Sequence, residues 1–161
     1  MTAMKKITLL AAIKQTQPFR HPHEELYLSI IKTASDLSHR ADQFFRPHGI
    51  TQIQYNVLRI LRGAGQEGLC RNEISGRMIT AAPDMSRLLE RMEKQGLISR
   101  SRDREDKRQV SSTITKKGEK LLQQLDEPLH RHLEGDLIGL GEKKTAQLLE
   151  LLEEVRGMIA M

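Results

Sequence analysis

The sequence predicts a mainly α-helical protein with one small β-hairpin, arranged as a winged helix-turn-helix lobe joined to a helical dimerisation part. Three observations carry this. Long segments repeat their apolar residues at helical spacing, while aromatics make up 3% of the chain and Trp is absent, so the core must be aliphatic. Next, Leu97–Arg100 and Gln109–Ile114 are short apolar or β-branched runs flanking a segment with a charge at every position from Arg102 to Arg108. Strand, charged loop, strand is a hairpin whose tip cannot be buried. Directly before it lies Met85–Gly96, an amphipathic helix closed by a glycine. A helix that can enter a major groove, followed by a basic hairpin that reaches the backbone or minor groove beside it, suits double-stranded DNA.

The elements follow in order. Met4–Gln17 reads as a short helix, set apart by Pro18 and Pro22. From Glu24 to Phe45, Leu26, Ile30, Ala34, Leu37, Ala41 and Phe44 form one apolar helical stripe, stopped by Pro47 and Gly49. Thr51-Gln52-Ile53-Gln54 is a capping box that opens a helix with Ile53, Val57, Leu58 and Leu61 inward. Gly63, Gly65 and Gly68 make a flexible connection to a short helix over Arg71–Met78. Thr80 is the expected N-cap of the next helix, with Pro83 tolerated in its first turn and Met85, Leu88, Leu89 and Met92 as its buried face. After the hairpin, a helix from Lys116 turns Leu121, Leu122, Leu125, Leu129 and Leu133 inward, with a kink expected at Pro128. Gly135–Gly141 interrupts the pattern, and Glu142–Ile159 resumes it.

Length and composition set bounds. A chain of 161 residues suits one domain, or one domain with a dimerisation extension. We divide it into an N-terminal extension (1–22), a helical dimerisation part (23–48 and 119–161) and a winged-helix lobe (49–118). No apolar run is long enough to span a membrane, so no membrane partner is expected. The run Ile7–Ile13 is short, is closed by Lys14 and has no small-residue cleavage motif after it, so a cytoplasmic protein is expected rather than a secreted one. A single cysteine allows no intramolecular disulfide and fits a reducing compartment.

The net charge is +5, and its placement matters more than its size. Between Arg100 and Lys120 eight basic residues stand against four acidic ones, an electrostatic footprint for phosphate beside the reading helix. The candidate DNA-binding residues are Asn72, Thr80, Pro83, Asp84, Ser86 and Arg87, with Arg104, Lys107 and Arg108 on the hairpin. The fork of Arg87 suits a guanine edge or a phosphate, its bland alternative being an ion pair with Asp84 or Glu90. Asp84 either accepts from cytosine or favours the helix N-terminus. Arg104 suits a narrow, negative minor groove, while Asp106 and Arg108 brace the wing as an ion pair.

The terminal helices carry more apolar surface than one lobe needs. A second copy of the chain covers it most simply, with Leu26, Ile30, Leu148, Leu152, Val155 and Ile159 at the dimer interface. Phe44, Phe45, His48, Ile53 and Tyr55 cluster at one helix junction and either line an effector pocket or belong to the core. The six histidines show no His-x3-His spacing and the chain has no Cys-x2-Cys, so neither metal nor cofactor is expected. Cys70 reads as a small structural thiol. With no phosphate-cradling glycine loop, carboxylate pair or nucleophile elbow, an enzyme is not expected.

Two linked motifs resemble the MarR (multiple-antibiotic-resistance regulator) family of bacterial transcription factors. The reading-helix pattern is Met85-Ser86-Arg87-Leu88-Leu89-Glu90-Arg91-Met92-Glu93, closed by Gly96-Leu97-Ile98. The wing pattern is Asp103-Arg104-Glu105-Asp106-Lys107-Arg108, followed by Ile114-Thr115-Lys116-Lys117-Gly118. The resembling stretch runs from about Glu24 to Met161. It implies a homodimer with interleaved first and last helices, a pseudo-palindromic operator and repression. It also implies release from DNA by a small aromatic or anionic effector bound between lobe and dimerisation part, or by cysteine oxidation. Two positions depart from the pattern: Arg104 stands where many members carry Pro or Gly, and Ala81-Ala82-Pro83 where polar residues are common. The alternatives are an architectural DNA-binding protein without effector and a helical protein-interaction module.

Overall fold

A computed structural model describes residues 6–102 and 110–160. Along these residues run α1 (Leu9–Ala12), α2 (Pro22–Phe45), α3 (Gln52–Ala64), β1 (Leu69–Cys70), α4 (Arg71–Arg77), α5 (Met85–Lys94), β2 (Ile98–Arg102), β3 (Val110–Ile114), α6 (Lys116–Leu137) and α7 (Gly141–Ile159). The first expected helix shrinks to the single turn of α1. Only Leu9 is buried there, which is too little to propagate a helix from its costly nucleus.

Helix α2 starts with Pro22 in its first turn, where the missing N–H has no helical partner, and Glu24 and Glu25 suit the positive end of its dipole. It gives way to a 3-10 turn, Arg46–His48. The Thr51 capping box forms as expected: Thr51 Oγ1 accepts from the Gln54 N–H at 3.3 Å, and Gln54 Oε1 accepts from the Thr51 N–H at 3.0 Å. The Gln52 N–H donates to Asp42 Oδ1 at 3.3 Å, fixing the start of α3 to the end of α2.

The connection after α3 differs from the expectation in two ways. Gly63 lies inside α3, and Leu69–Cys70 forms a strand that makes the sheet three-stranded, in the order β1-β3-β2. Two residues are too few to show a period of two in sequence, so β1 declares itself only through its pairing of Leu69 with Ser112 and Cys70 with Ser111. The hairpin pairs antiparallel from Ile98 opposite Ile114 to Arg102 opposite Val110.

Val57, Leu58, Leu61, Ile74, Leu89, Met92, Leu122 and Leu125 are all at most 1% exposed and knit α3, α4, α5 and α6 into one core. Burying each contributes roughly 1.5–3 kcal/mol. Met85 and Met92 are packing residues of this core. Ile53 and Leu121 are half-buried against it rather than fully inside.

The end of α5 and the start of α6 meet in one joint. Gly96, at φ +70°, carries the chain past the helix end; its N–H donates to Glu93 O at 2.8 Å and the Leu97 N–H to Met92 O at 3.0 Å. The Thr115 N–H then donates to Leu97 O at 3.1 Å, and Thr115 Oγ1 donates to Gly96 O at 2.7 Å. The same hydroxyl oxygen caps α6 by accepting from the Gly118 N–H at 3.1 Å. Gly118 sits so close that a Cβ there would lie 2.4 Å from Leu97 O.

Helix α6 continues through Pro128 to Leu137 and is tied to its neighbours by two ion pairs. Arg62 of α3 donates to Asp126 at 2.8 Å, and Arg40 of α2 donates through Nε to Asp136 at 2.8 Å. Hydrogen bonding from these guanidiniums holds both carboxyls below the usual aspartate range.

The terminal helices are another matter. Of the large exposed apolar side chains among the described residues, all but Ile79 lie outside 49–118, and α7 buries none of its residues. Leu133, expected inward, is 45% exposed, and Leu26 and Leu37 of the α2 stripe are 52% and 38% exposed. Among the described residues they are covered only in part.

Gly118→Ala should cost about 1–3 kcal/mol, because its methyl collides with a backbone carbonyl that cannot step aside. Urea denaturation of the variant beside wild type checks this, with a lowered midpoint at an unchanged slope as the expected outcome.

Candidate nucleic-acid interface

Helices α4 and α5 form a helix-turn-helix beside the hairpin. The Cys70 N–H donates to Glu73 Oε2 at 2.7 Å, capping α4, and this bond holds the Glu73 carboxyl below its ordinary range. Cys70 itself is half-buried. The turn that follows is pinned at three points. Met78 and Ala82 pack against the core, and between them the Ile79 N–H donates to Asn56 Oδ1 at 2.9 Å. Ile79 is left 84% exposed.

The N-cap of α5 is Asp84, not Thr80. Its Oδ1 accepts from the Arg87 N–H at 3.0 Å, and the helix begins at Met85, so Pro83 precedes the first turn instead of lying in it. Pro83 explains the shift, since a residue before proline is pushed out of the helical region and Ala82 cannot serve as a second helical residue. An aspartate at the cap also meets the positive end of the dipole.

Arg87 projects from the first turn with its side chain 87% exposed, and its Nε also pairs with Asp84 Oδ2 at 3.1 Å. The ion pair weighed as its bland role therefore exists, and it leaves most of the guanidinium facing water. Ser86 is half-buried, and Asn72, Thr80 and Pro83 are exposed. Arg71, which the sequence reading passed over, brings two of these together: Nη1 donates to Ser86 Oγ at 3.3 Å and Nη2 to Asn72 Oδ1 at 3.4 Å. The separation of 15 positions between Arg71 and Ser86 puts this contact beyond any local spacing rule. Arg100 of β2 pairs with Glu93 at 3.6 Å, binding the hairpin to α5, and Lys117 Nζ of α6 donates to Gln95 O at 2.7 Å just past the end of α5. Arg104, Asp106, Lys107 and Arg108 lie outside the described residues.

A groove of about 1360 Å³ lies behind α5, between α2, α3 and α6. Phe45, Ile50, Tyr55, Leu88 and Leu129 give it an apolar lining, with Arg59, Arg87 and Arg91 among its polar groups. The Phe45 and Tyr55 rings stack at 4.7 Å, and Arg59 lies 5.9 Å from the Tyr55 ring centre. Of the expected pocket residues, Phe45, Ile53 and Tyr55 line this groove. Phe44 and His48 do not: Phe44 stacks on His132 at 5.0 Å, with His48 tilted against it at 5.4 Å. Of the expected dimer residues, Leu26, Leu148 and Ile159 are exposed and Ile30, Leu152 and Val155 half-buried. No helix among the described residues is long and apolar enough to cross a membrane.

Asp84→Ala should destabilise the protein by about 0.5–2 kcal/mol through loss of the cap, whereas Asp84→Ser should retain most of it. Thermal or urea unfolding of the two variants side by side reads the difference.

A family model described as the MarR family matches residues 50–110, from the capping box of α3 into the hairpin. The chain is 36% identical over 109 residues to the transcriptional regulator TtmR of Methylorubrum extorquens, a match covering 68% of this chain and 54% of that one. It is 27% identical over 139 residues to the homoprotocatechuate degradative operon repressor of Escherichia coli, covering 82% and 88%. It is also similar to a solved MarR transcription factor from Planctomyces limnophilus, with 32% identity, a TM-score of 0.66 and coverage of 84% of this chain and 98% of that one. The chain thus spans about half the length of TtmR and nearly the whole of the solved relative, and it belongs to the MarR family.

Proposed function

We propose that this chain is a sequence-specific, duplex-DNA-binding transcriptional repressor that acts as a homodimer and is released by a small aromatic or anionic effector. The carrying observation is the α4–α5 unit: a reading helix with an exposed arginine in its first turn, bound to a hairpin whose connecting segment is charged throughout. Such a helix suits the major groove while the basic tip suits the minor groove beside it. On this reading Ser86, Arg87 and Asn72 meet the DNA from the helices and Arg104 and Lys107 from the wing, with Asp106 and Arg108 bracing the latter.

The division of labour along the chain follows. Residues 49–118 act as the winged-helix lobe, 23–48 and 119–161 as the dimerisation part, and 1–22 as an extension. The exposed apolar faces of α2 and α7 support the dimer, because large apolar patches on a free monomer are uncommon. The groove between lobe and terminal helices suits the effector: its aromatic and aliphatic lining favours a ring, and its arginines favour an anion. The relative that is a degradative-operon repressor supports the direction of control. Catalysis forms no part of the reading, the family and its named relatives being transcriptional regulators.

Two experiments follow. Arg87→Ala should cost roughly 1–3 kcal/mol on a duplex selected from a random pool and relax the preference at one base position per half-site. Arg104→Ala should weaken all duplexes, with extra loss at A·T-rich flanks. A base-by-base binding profile of both variants checks this, and the reverse pattern would exchange their roles. Leu152→Asp forces a charge into the proposed interface, so it should give dissociated or poorly folded protein. Sedimentation of the wild type at micromolar concentration should show a dimer; a monomer there contradicts the reading.

A further inference from the structure

Resting on the duplex-DNA reading above, we propose that Arg71 is a further phosphate contact of the DNA surface, its guanidinium held in place by Ser86 and Asn72. Arg71 opens α4, and its side chain reaches across to the first turn of α5. It is exposed, donating to Ser86 Oγ at 3.3 Å and to Asn72 Oδ1 at 3.4 Å. Both acceptors are neutral and both bonds are long. The contacts therefore fix the position of the group without offsetting its charge.

Arg71 takes part in none of the ion pairs among the described residues. This separates it from its neighbours on the same surface. Arg87 already has the Asp84 carboxylate at 3.1 Å, and Arg100 has that of Glu93 at 3.6 Å. Of these three arginines it is Arg71 whose charge no carboxylate among the described residues offsets.

The fork has five N–H donors, and two neutral contacts leave the rest free for an oxyanion. A charge-assisted hydrogen bond from a free N–H to phosphate is favourable, and a cation that meets phosphate releases condensed counterions as well. Phosphate is favoured over a base edge by position. Arg71 belongs to the first helix of the helix-turn-helix, which crosses the backbone, while the second enters the groove.

The test is a set of equilibrium titrations of the full chain, as wild type, Arg71→Ala and Arg71→Lys, across several salt concentrations. The two probes are a duplex selected from a random pool by the wild type and an unrelated duplex of equal length. Arg71→Ala should weaken binding to both and reduce the log–log salt slope by about one unit per subunit engaged. Arg71→Lys, which keeps the charge but loses the fork, should retain most of the slope. Unfolding curves matching the wild type show that the variants are folded. An unchanged slope for Arg71→Ala overturns the proposal whether affinity holds or falls, because a mere brace between α4 and α5 would lower affinity without altering the number of counterions released. Wild-type protein with no salt-dependent affinity for either duplex overturns the DNA reading itself, a separate and distinguishable failure.

Discussion

The contact between Gly96–Leu97 and Thr115–Gly118 is the constraint on which the rest of the molecule depends. The reading helix ends there, the hairpin begins and returns there, and α6 starts there. One threonine serves all three: its N–H and hydroxyl hold the turn after α5, and its hydroxyl oxygen caps α6. Gly118 makes the approach feasible, since any side chain would meet the Leu97 carbonyl. Because α6 runs on from this joint to Leu137, the joint fixes the orientation of the reading helix relative to the helices of the C-terminal region. Two outer contacts, Lys117 to the Gln95 carbonyl and Arg100 to Glu93, reinforce it from the surface.

Around that joint the chain divides its apolar surface unevenly. The lobe and the start of α6 bury most of theirs, with eight core side chains at 1% exposure or less, and of the lobe's large apolar side chains among the described residues Ile79 is the exposed one. The terminal helices do not: α7 has no buried residue, and α2 buries only Ala41 and Phe45. Between the two regions lies the groove, shared by α2, α3, α5 and α6. Anything filling it touches α2 and α6 as well as the arginines of α5, so in the proposed dimer occupancy there would bias the spacing of two reading helices. The Asp84 carboxylate and the Asn56 amide hold the segment leading into α5, and both residues face the same groove.

Much of this was legible in the sequence because it rests on local chemistry. The capping box at Thr51, the glycine close at Gly96 and the apolar stripes of α3 and α5 each follow from residues within one or two turns of each other. The missed features depend on long-range partners or on competition between local rules. Strand β1 exists only because β3 lies beside it. Thr80 lost the capping role to Asp84 because Pro83 disfavours a helical Ala82 before it. Arg71 and Ser86 meet only through tertiary structure, and no spacing links them. Phe44 and His48 lie close to Phe45 in sequence, yet adjacent helical residues point in different directions. Phe44 turns to His132 on α6, and Phe45 turns into the groove.

The claim that joins these parts is that two copies present their reading helices to one face of a duplex. A hydroxyl-radical footprint of the full chain on a duplex selected from a random pool tests it directly. Protected patches related by a two-fold axis and separated by about one helical turn, roughly 10–10.5 base pairs, or a small multiple of it, are the predicted result. A single asymmetric patch, or protection without a fixed spacing, would contradict the account.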